Sequence, residues 1–193
     1  MAVTTTDAVL IYRPDGDIGV EPLSITPGPA SLSGIRIGVM ENGKPNSDVV
    51  MGRAAEVLAA RVGGTVTVLT GKRLPDSGSL DNTNGNEMGI SPEVLELLTR
   101  EADVVITGVG DCGSCSAYTA YDTIELEKAG LPTVLTTTTR FERIARTLVT
   151  DFGLPTTRIL VIPHPIGGTA PDLLHAWGEQ AVDELILQFE RRV

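Results

Sequence analysis

The sequence predicts an α/β fold, a three-layer sandwich in which a mainly parallel sheet is covered by helices on both faces. Short segments rich in Val and Ile alternate along the chain with longer segments whose apolar residues recur at helical spacing. The short segments are apolar on both faces, which is typical of parallel strands between two helical layers. With 193 residues, 41% of them hydrophobic and 21% charged, the chain suits one globular domain with a sizeable core.

The first half of this domain is expected to contain two strands and two helices. Residues 35–40 form an apolar run that predicts the first strand. The helix after it is expected to be capped by Ser47 or Asn46 and to end before Gly63. Residues 65–69 predict the second strand. The segment from Gly71 to Gly89 contains little apolar material and predicts a long loop, of the kind that is either functional or mobile. A helix then begins with a cap at Ser91 and a proline at its first helical position.

The second half of the domain repeats the pattern of strand and helix three times. The predicted strands are 102–110, 132–136 and 158–162, and the predicted helices are 116–128, 141–152 and 171–191. Gly130 and Gly153 follow the first two of these helices and end them. The last helix carries a stripe of apolar side chains, beginning with Leu173, that should face the core.

Residues 1–33 are predicted to form an irregular arm outside the single domain of residues 34–193. Proline and glycine interrupt the arm so often that regular structure is not expected there. The arm would lie on the core or on a neighbouring subunit, which leaves a homo-oligomer or a partner subunit open. A disordered leader is the alternative.

Composition and charge exclude several classes of partner. The net charge of −10 repels phosphate backbones, so we expect no nucleic acid partner. No apolar run approaches the roughly 20 residues that a membrane span needs, and the N-terminus lacks the features of a signal peptide. We therefore expect a cytoplasmic protein without a membrane partner. In that compartment a cysteine pair is more often catalytic or metal-binding than structural.

The two cysteines of the chain, Cys112 and Cys115, form a CxxC motif between a predicted strand and a predicted helix. Backbone N–H groups and the helix dipole favour a thiolate at such a position. Cys112 lies nearer the strand end, so it is the predicted attacking thiol and Cys115 the resolving thiol. The alternative is a pair of small residues buried at a tight turn. Thioredoxin-like membership is not expected, because the order of elements differs.

Polar residues are concentrated in four loops that should meet at the carboxyl edge of the sheet, where open parallel sheets bind ligands. His164 is a predicted general acid or base, and Asp111 caps the helix or takes a proton from the thiol. Lys44 and Arg140 would bind an anionic or carbonyl-bearing small molecule, although Lys44 is equally consistent with a solvated loop lysine. The other predicted substrate-binding residues carry hydroxyl or carboxamide groups: Asn42, Asn46, Ser114, Ser116 and Thr136.

No cofactor is predicted, but a metal ion on Cys112, Cys115 and His164 is an alternative to thiol chemistry. Two cysteines are too few for a closed structural zinc site, and three ligands would leave an open one. The segment Gly108-Val109-Gly110 contains only part of a dinucleotide-binding fingerprint, since the third glycine is missing.

The segment Gly108-Val109-Gly110-Asp111-Cys112-Gly113-Ser114-Cys115 resembles the motif of the UGSC family, which is named for selenocysteine-Gly-Ser-Cys. Residues 42–46 and 161–165 resemble the first and last loops of that family, and the resemblance covers about residues 35–168. It implies that Cys112 stands where some members carry selenocysteine. Selenium is used where a strongly nucleophilic, readily reoxidised atom is needed, so redox or nucleophilic chemistry at Cys112 is implied. The resemblance supplies no substrate.

The resulting expectation is a thiol-dependent enzyme of small molecules. Cys112 would attack, a Cys112–Cys115 disulfide would form, and a cellular thiol reductant would reset the pair. Three alternatives remain open at this point. Cys112 could act as the nucleophile of a lyase or hydrolase without redox change. The pair could hold a metal ion, or the chain could be a subunit of a larger complex.

Overall fold

The computed structural model describes residues 23–72 and 89–191 of the chain. Most of the predicted loop 71–89, and the first two thirds of the predicted arm, lie outside these residues. Five strands and six helices alternate in the described part. The strands are β1 (Arg36–Glu41), β2 (Thr65–Thr70), β3 (Val104–Gly110), β4 (Thr133–Thr138) and β5 (Arg158–Ile162). The helices are α1 (Ser47–Val62), α2 (Pro92–Glu101), α3 (Gly113–Lys128), α4 (Glu142–Asp151), α5 (Pro171–Gln180) and α6 (Val182–Glu190).

The five strands form one all-parallel sheet in the order β2-β1-β3-β4-β5. Alternate side chains of the central strands enter different helical layers, because successive strand residues point to opposite faces. Ile37 and Ile106 pack in the cluster that contains residues of α1, α5 and α6. Met40 and Val105 pack against α2, and Leu135 packs against α4. The predicted three-layer α/β fold is therefore confirmed.

Several element boundaries differ from the prediction, and three of these differences change the description of the site or of the last helix. α3 begins at Gly113, three residues earlier than expected, because the sulfur of Cys112 caps it. β4 continues to Thr138 rather than ending at Thr136. The predicted last helix is interrupted at Ala181, and Leu173, expected in its buried stripe, is 48% exposed on the first turn of α5.

The two predicted helix caps have different outcomes. Ser91 caps α2, since its hydroxyl accepts the Val94 N–H at 3.4 Å. Asn46 occupies the N-cap position of α1 with a φ of 72°, but its side chain does not bond to the helix. Its amide nitrogen instead donates to the carbonyl of Ile166 at 2.8 Å. The expected capping bond is therefore wrong, and Asn46 ties the loop after β1 to the loop after β5.

A buried ion pair anchors the described part of the arm at the amino edge of the sheet. Arg158 and Glu127 lie 3.1 Å apart, and their side chains are 0% and 2% exposed. Thr26 donates its N–H to Glu127 at 2.5 Å and accepts from Arg158 at 2.8 Å. Burial raises the pKa of Glu127, against the hydrogen bonds from Thr133 and Thr26 and the charge of Arg158. Residues 23–33 have no regular secondary structure, and Ile25 and Leu32 pack into the chain's own core.

Gly28 lies where the arm passes the end of α6. A Cβ atom at this position would come within 2.0 Å of the Phe189 carbonyl oxygen, so the backbone leaves no room for any other residue. Arg158 also donates to the Gln188 carbonyl at 3.0 Å. The arm and the last helix are thus held by the same side chain.

Among the described residues, no helix combines the length and the apolar character that crossing a membrane requires.

Candidate functional site

The loops after β1, β3, β4 and β5 all leave the sheet at its carboxyl edge, because the strands are parallel. The order of the strands reverses beside β1, which has β2 on one side and β3 on the other. Ligands of open α/β sheets bind at such a reversal, outside the carboxyl ends of the strands. Asn42 to Asn46 follow β1, and the CxxC motif follows β3, so both segments flank this position.

The two cysteines form a disulfide at the beginning of α3. Cys112 is the N-cap residue, and its sulfur accepts the Cys115 N–H at 3.2 Å. The hydroxyl of Ser114, an exposed residue, lies 3.5 Å from the same sulfur. Cys112 is partly exposed, whereas Cys115 is 8% exposed. Cys112 is therefore the more accessible cysteine, and a disulfide at this position fits a redox-type role.

His164 is joined to the residue that directly precedes the cysteine pair. Its Nδ1 atom lies 2.8 Å from Asp111 Oδ1, and the two side chains are 26% and 10% exposed. This bond connects the loop after β5 to the turn after β3. Asp111 does not cap α3, since Cys112 holds that position. The capping role left open for Asp111 is therefore wrong, and its side chain orients His164 instead.

Two further residues at His164 were not predicted from the sequence. The hydroxyl of Thr138 lies 3.1 Å from His164 Nδ1, and the ring of Phe141 lies 5.6 Å from the imidazole at a tilt of 51°. Thr138 is the last residue of β4 and is fully buried. The signal available in the sequence was the run of four threonines at this strand end, of which only Thr136 was selected.

Three of the predicted substrate-binding side chains hold the loops of the site together. Asn42 donates to the Val109 carbonyl at 2.9 Å and to the Thr119 hydroxyl at 3.1 Å. Asn46 reaches the loop after β5, and the buried Ser116 donates to the Cys112 carbonyl at 2.7 Å. These bonds fix the backbone around the disulfide. Contact of these side chains with a substrate stays a prediction.

Of the other four predicted binding residues, Ser114 lies beside the Cys112 sulfur, and Lys44, Arg140 and Thr136 have different positions. Lys44 is partly exposed and Arg140 exposed at the carboxyl edge, and the side chain of neither has a hydrogen bond or ion pair with residues 23–72 or 89–191. Thr136 is 1% exposed inside β4, two residues before the strand ends. Its expected position in the loop is wrong because the strand runs on to Thr138.

The glycines that precede the cysteines are required by packing between β3 and β4. A Cβ atom at Gly108, where φ is +155°, would lie 2.8 Å from the Thr136 carbonyl oxygen. At Gly110 it would lie 2.9 Å from the Thr137 hydroxyl and 3.0 Å from the Ser116 hydroxyl. The absence of side chains lets the strand that delivers Cys112 lie closely against its neighbour.

In the part of the chain that the structure describes, no group of three or more His, Cys, Asp or Glu side chains is arranged to hold a metal ion. The sulfurs of Cys112 and Cys115 are bonded to each other. The metal-binding alternative would therefore need the reduced pair.

Comparison with known families shows which family the chain matches. The family model described as the UGSC family matches residues 11–191. This range extends beyond residues 35–168, where the motif resemblance lies, and includes much of the arm and both C-terminal helices. A search of curated proteins finds no match.

Proposed function

The chain belongs to the UGSC family, and from that premise we propose that it is an enzyme that reduces a small molecule through a dithiol–disulfide cycle. The observation that carries the proposal is the position of Cys112 at the cap of α3, accessible and paired with Cys115. The Cys115 N–H and the dipole of α3 favour a thiolate at Cys112 in the reduced protein.

The proposed reaction has two steps and begins with both cysteines reduced. The Cys112 thiolate adds to an electrophilic atom of a multiple bond in the substrate: the sulfur–substrate bond forms, the π bond opens, and the other atom of that bond takes up a proton. Cys115 then attacks the Cys112 sulfur, and the bond to the substrate breaks. Its electron pair leaves with the substrate, which takes up two electrons and two protons as the disulfide forms. A cellular dithiol returns the two electrons and two protons by thiol–disulfide exchange.

Asp111 and His164 are proposed to move the protons of this cycle. The carboxylate of Asp111 accepts from Nδ1 of His164, so the other ring nitrogen is the one that exchanges protons. An imidazole held in this way can accept the thiol proton and later deliver one to the departing substrate.

Lys44 and Arg140 are proposed to bind an anionic or carbonyl-bearing substrate. Both stand at the carboxyl edge without an ion-pair partner in the described residues, on a chain whose net charge is −10. Positive side chains with free donors on an acidic protein raise the local concentration of a small anion.

Trapping the covalent intermediate tests the proposal. The reduced Cys115→Ser variant keeps the attacking thiol but cannot resolve the adduct, so incubation with metabolite extracts should leave an added mass on Cys112. The reduced Cys112→Ser variant is the matched control and should remain unmodified. Absence of an adduct, or equal labelling of both variants, would contradict the assigned roles. Turnover by wild type without loss of its two thiols would favour the lyase or hydrolase alternative.

A further inference from the structure

We propose that Thr138 is a positioning residue that, with Asp111, keeps the proton of His164 on Nδ1 and leaves Nε2 as the nitrogen that exchanges protons. The geometric part of this inference stands on the contacts of the imidazole alone. Its meaning for turnover rests on the proposed function.

The donors and acceptors around Nδ1 assign the hydrogen. Asp111 Oδ1 lies 2.8 Å from Nδ1, and an ionised carboxylate only accepts, so Nδ1 must donate. The Thr138 hydroxyl donates its own hydrogen to the Gly110 carbonyl at 3.5 Å. Its oxygen, 3.1 Å from Nδ1, is then an acceptor for the same N–H. Two acceptors converge on one donor, which favours a single tautomer.

Thr138 is the rigid member of this pair of acceptors. It is fully buried at the end of β4, its carbonyl accepts the Phe141 N–H at 2.8 Å, and its β-branched side chain has little rotamer freedom. Asp111 lies in a turn beside Cys112, the residue whose bonding changes when the disulfide opens. The rigid contact to His164 Nδ1 therefore comes from Thr138 in the sheet, and the charged contact comes from Asp111 in the turn.

The ring of Phe141 limits the imidazole on another side. The two ring centroids are 5.6 Å apart, and Phe141 is the N-cap residue of α4. With Thr138 and Asp111 at Nδ1, the imidazole is restrained at one nitrogen and along one face. Nothing in the described part of the chain bonds to Nε2 of His164.

Ring ¹⁵N chemical shifts test the proposal without any substrate, because they report which imidazole nitrogen carries the proton. The chain has only two histidines, so a His175→Gln variant assigns the signals of His164. Thr138→Val removes the hydroxyl and keeps the shape of the side chain. The matched control is Thr137→Val, a buried neighbour whose hydroxyl donates to the Gly110 carbonyl at 2.9 Å and does not contact His164.

In wild type, the neutral form of the His164 ring should carry its proton on Nδ1. Thr138→Val should move both ring shifts toward a mixture of tautomers, Thr137→Val should leave them unchanged, and Thr138→Ser should restore the wild-type pattern. Shifts identical in wild type and Thr138→Val, or an equal change in Thr137→Val, would overturn the inference. A changed tautomer in a protein that forms no adduct on Cys112 would sink the enzyme proposal and leave this one standing.

Discussion

The amino edge and the carboxyl edge of the sheet each hold a cluster of charged and polar side chains, and the two clusters use their hydrogen bonds differently. At the amino edge, Arg158 donates hydrogen bonds to Thr26, Glu127 and Gln188. Both carboxylate oxygens of Glu127 accept backbone N–H groups, from Thr26 and Thr133. At the carboxyl edge, His164 uses one ring nitrogen, and neighbouring cations have no partner among the described residues.

The comparison separates a structural cluster from a chemical one. A buried ion pair is tolerated when its donors and acceptors are hydrogen-bonded within the protein, and little capacity is then left for a ligand. A half-exposed cluster with unused donors can bind and react, and it contributes less to folding. Both edges carry charged residues. They differ in how many of their donors and acceptors are already hydrogen-bonded within the protein.

Breaking the amino-edge pair should give the largest effect on stability. Glu127→Gln leaves Arg158 buried without a counter-charge, which should lower the free energy of unfolding by about 3–5 kcal/mol. Glu125→Gln is the matched control, because its ion pair with Lys128 is at the surface and is worth less than about 0.5 kcal/mol. Urea unfolding followed by circular dichroism measures both. Equal losses in the two variants would contradict the distinction between the edges.

Adding a methyl group at Gly108, in the glycine-containing segment before the cysteines, should give the next largest loss of stability. It tests how far the tight packing of the sheet extends toward the site. Gly108→Ala brings a Cβ against the Thr136 carbonyl, which should cost about 1–3 kcal/mol. Gly113→Ala has nothing within 4 Å and should change stability little. Thermal unfolding of the reduced proteins compares them. A Gly108→Ala variant as stable as Gly113→Ala would show that β3 tolerates a side chain at position 108.

The two thiols should differ in reactivity by roughly tenfold, because the favourable helix-terminus contribution at Cys112 is on the order of 1–2 kcal/mol. The lone Cys112 of Cys115→Ser should react faster with iodoacetamide at neutral pH than the lone Cys115 of Cys112→Ser. Its position at the cap and its greater exposure both act in that direction. Mass spectrometry at timed intervals gives the rates. A lone Cys112 that labels no faster than Cys115 would reverse the assigned roles.

The smallest expected effect concerns Asp122, a buried carboxylate paired with Lys72 and packed on neither cluster. Burial raises the pKa of Asp122, so the native state binds its proton more readily than the unfolded chain does. Its contribution to stability is therefore present at low pH and is lost as pH rises through the native pKa. Lowering the pH from 7 towards the ordinary Asp pKa of 3.8 should stabilise wild type more than Asp122→Asn. Parallel changes of the melting temperature in both proteins would contradict this.

Local patterns were sufficient for much of the fold. The Val- and Ile-rich runs gave all five strands, and Ser91 with Pro92 marked the beginning of α2, because these signals act over a few residues. The last helix is interrupted at Ala181, which is neither proline nor glycine. The apolar periodicity therefore predicted one continuous helix through this residue. The pair of Glu127 with Arg158 joins elements 31 residues apart and has no local signal.

The candidate site was predicted in the same uneven way. Cys112 and Cys115 stand out by composition and spacing, and the order of strands explains why His164 lies near them. Thr138 and Phe141 could not be selected, because their importance comes from the distance to His164 across two strand ends. Asn46 was assigned a cap by its residue type, but a partner 120 residues later takes its side chain.

Arg158 forms hydrogen bonds to both the arm and the last helix, and this has a consequence for the order in which contacts can form during synthesis on the ribosome. Arg158 follows Thr26 by 132 residues, an interval that translation covers in about 7–26 s at about 5–20 residues per second. The Gln188 carbonyl, its other backbone partner, emerges later still. Until both partners have been synthesised, the bonds that Arg158 makes to the arm and to the end of α6 cannot form. The complete set of contacts at the amino edge therefore forms only after β5 and α6 have been translated.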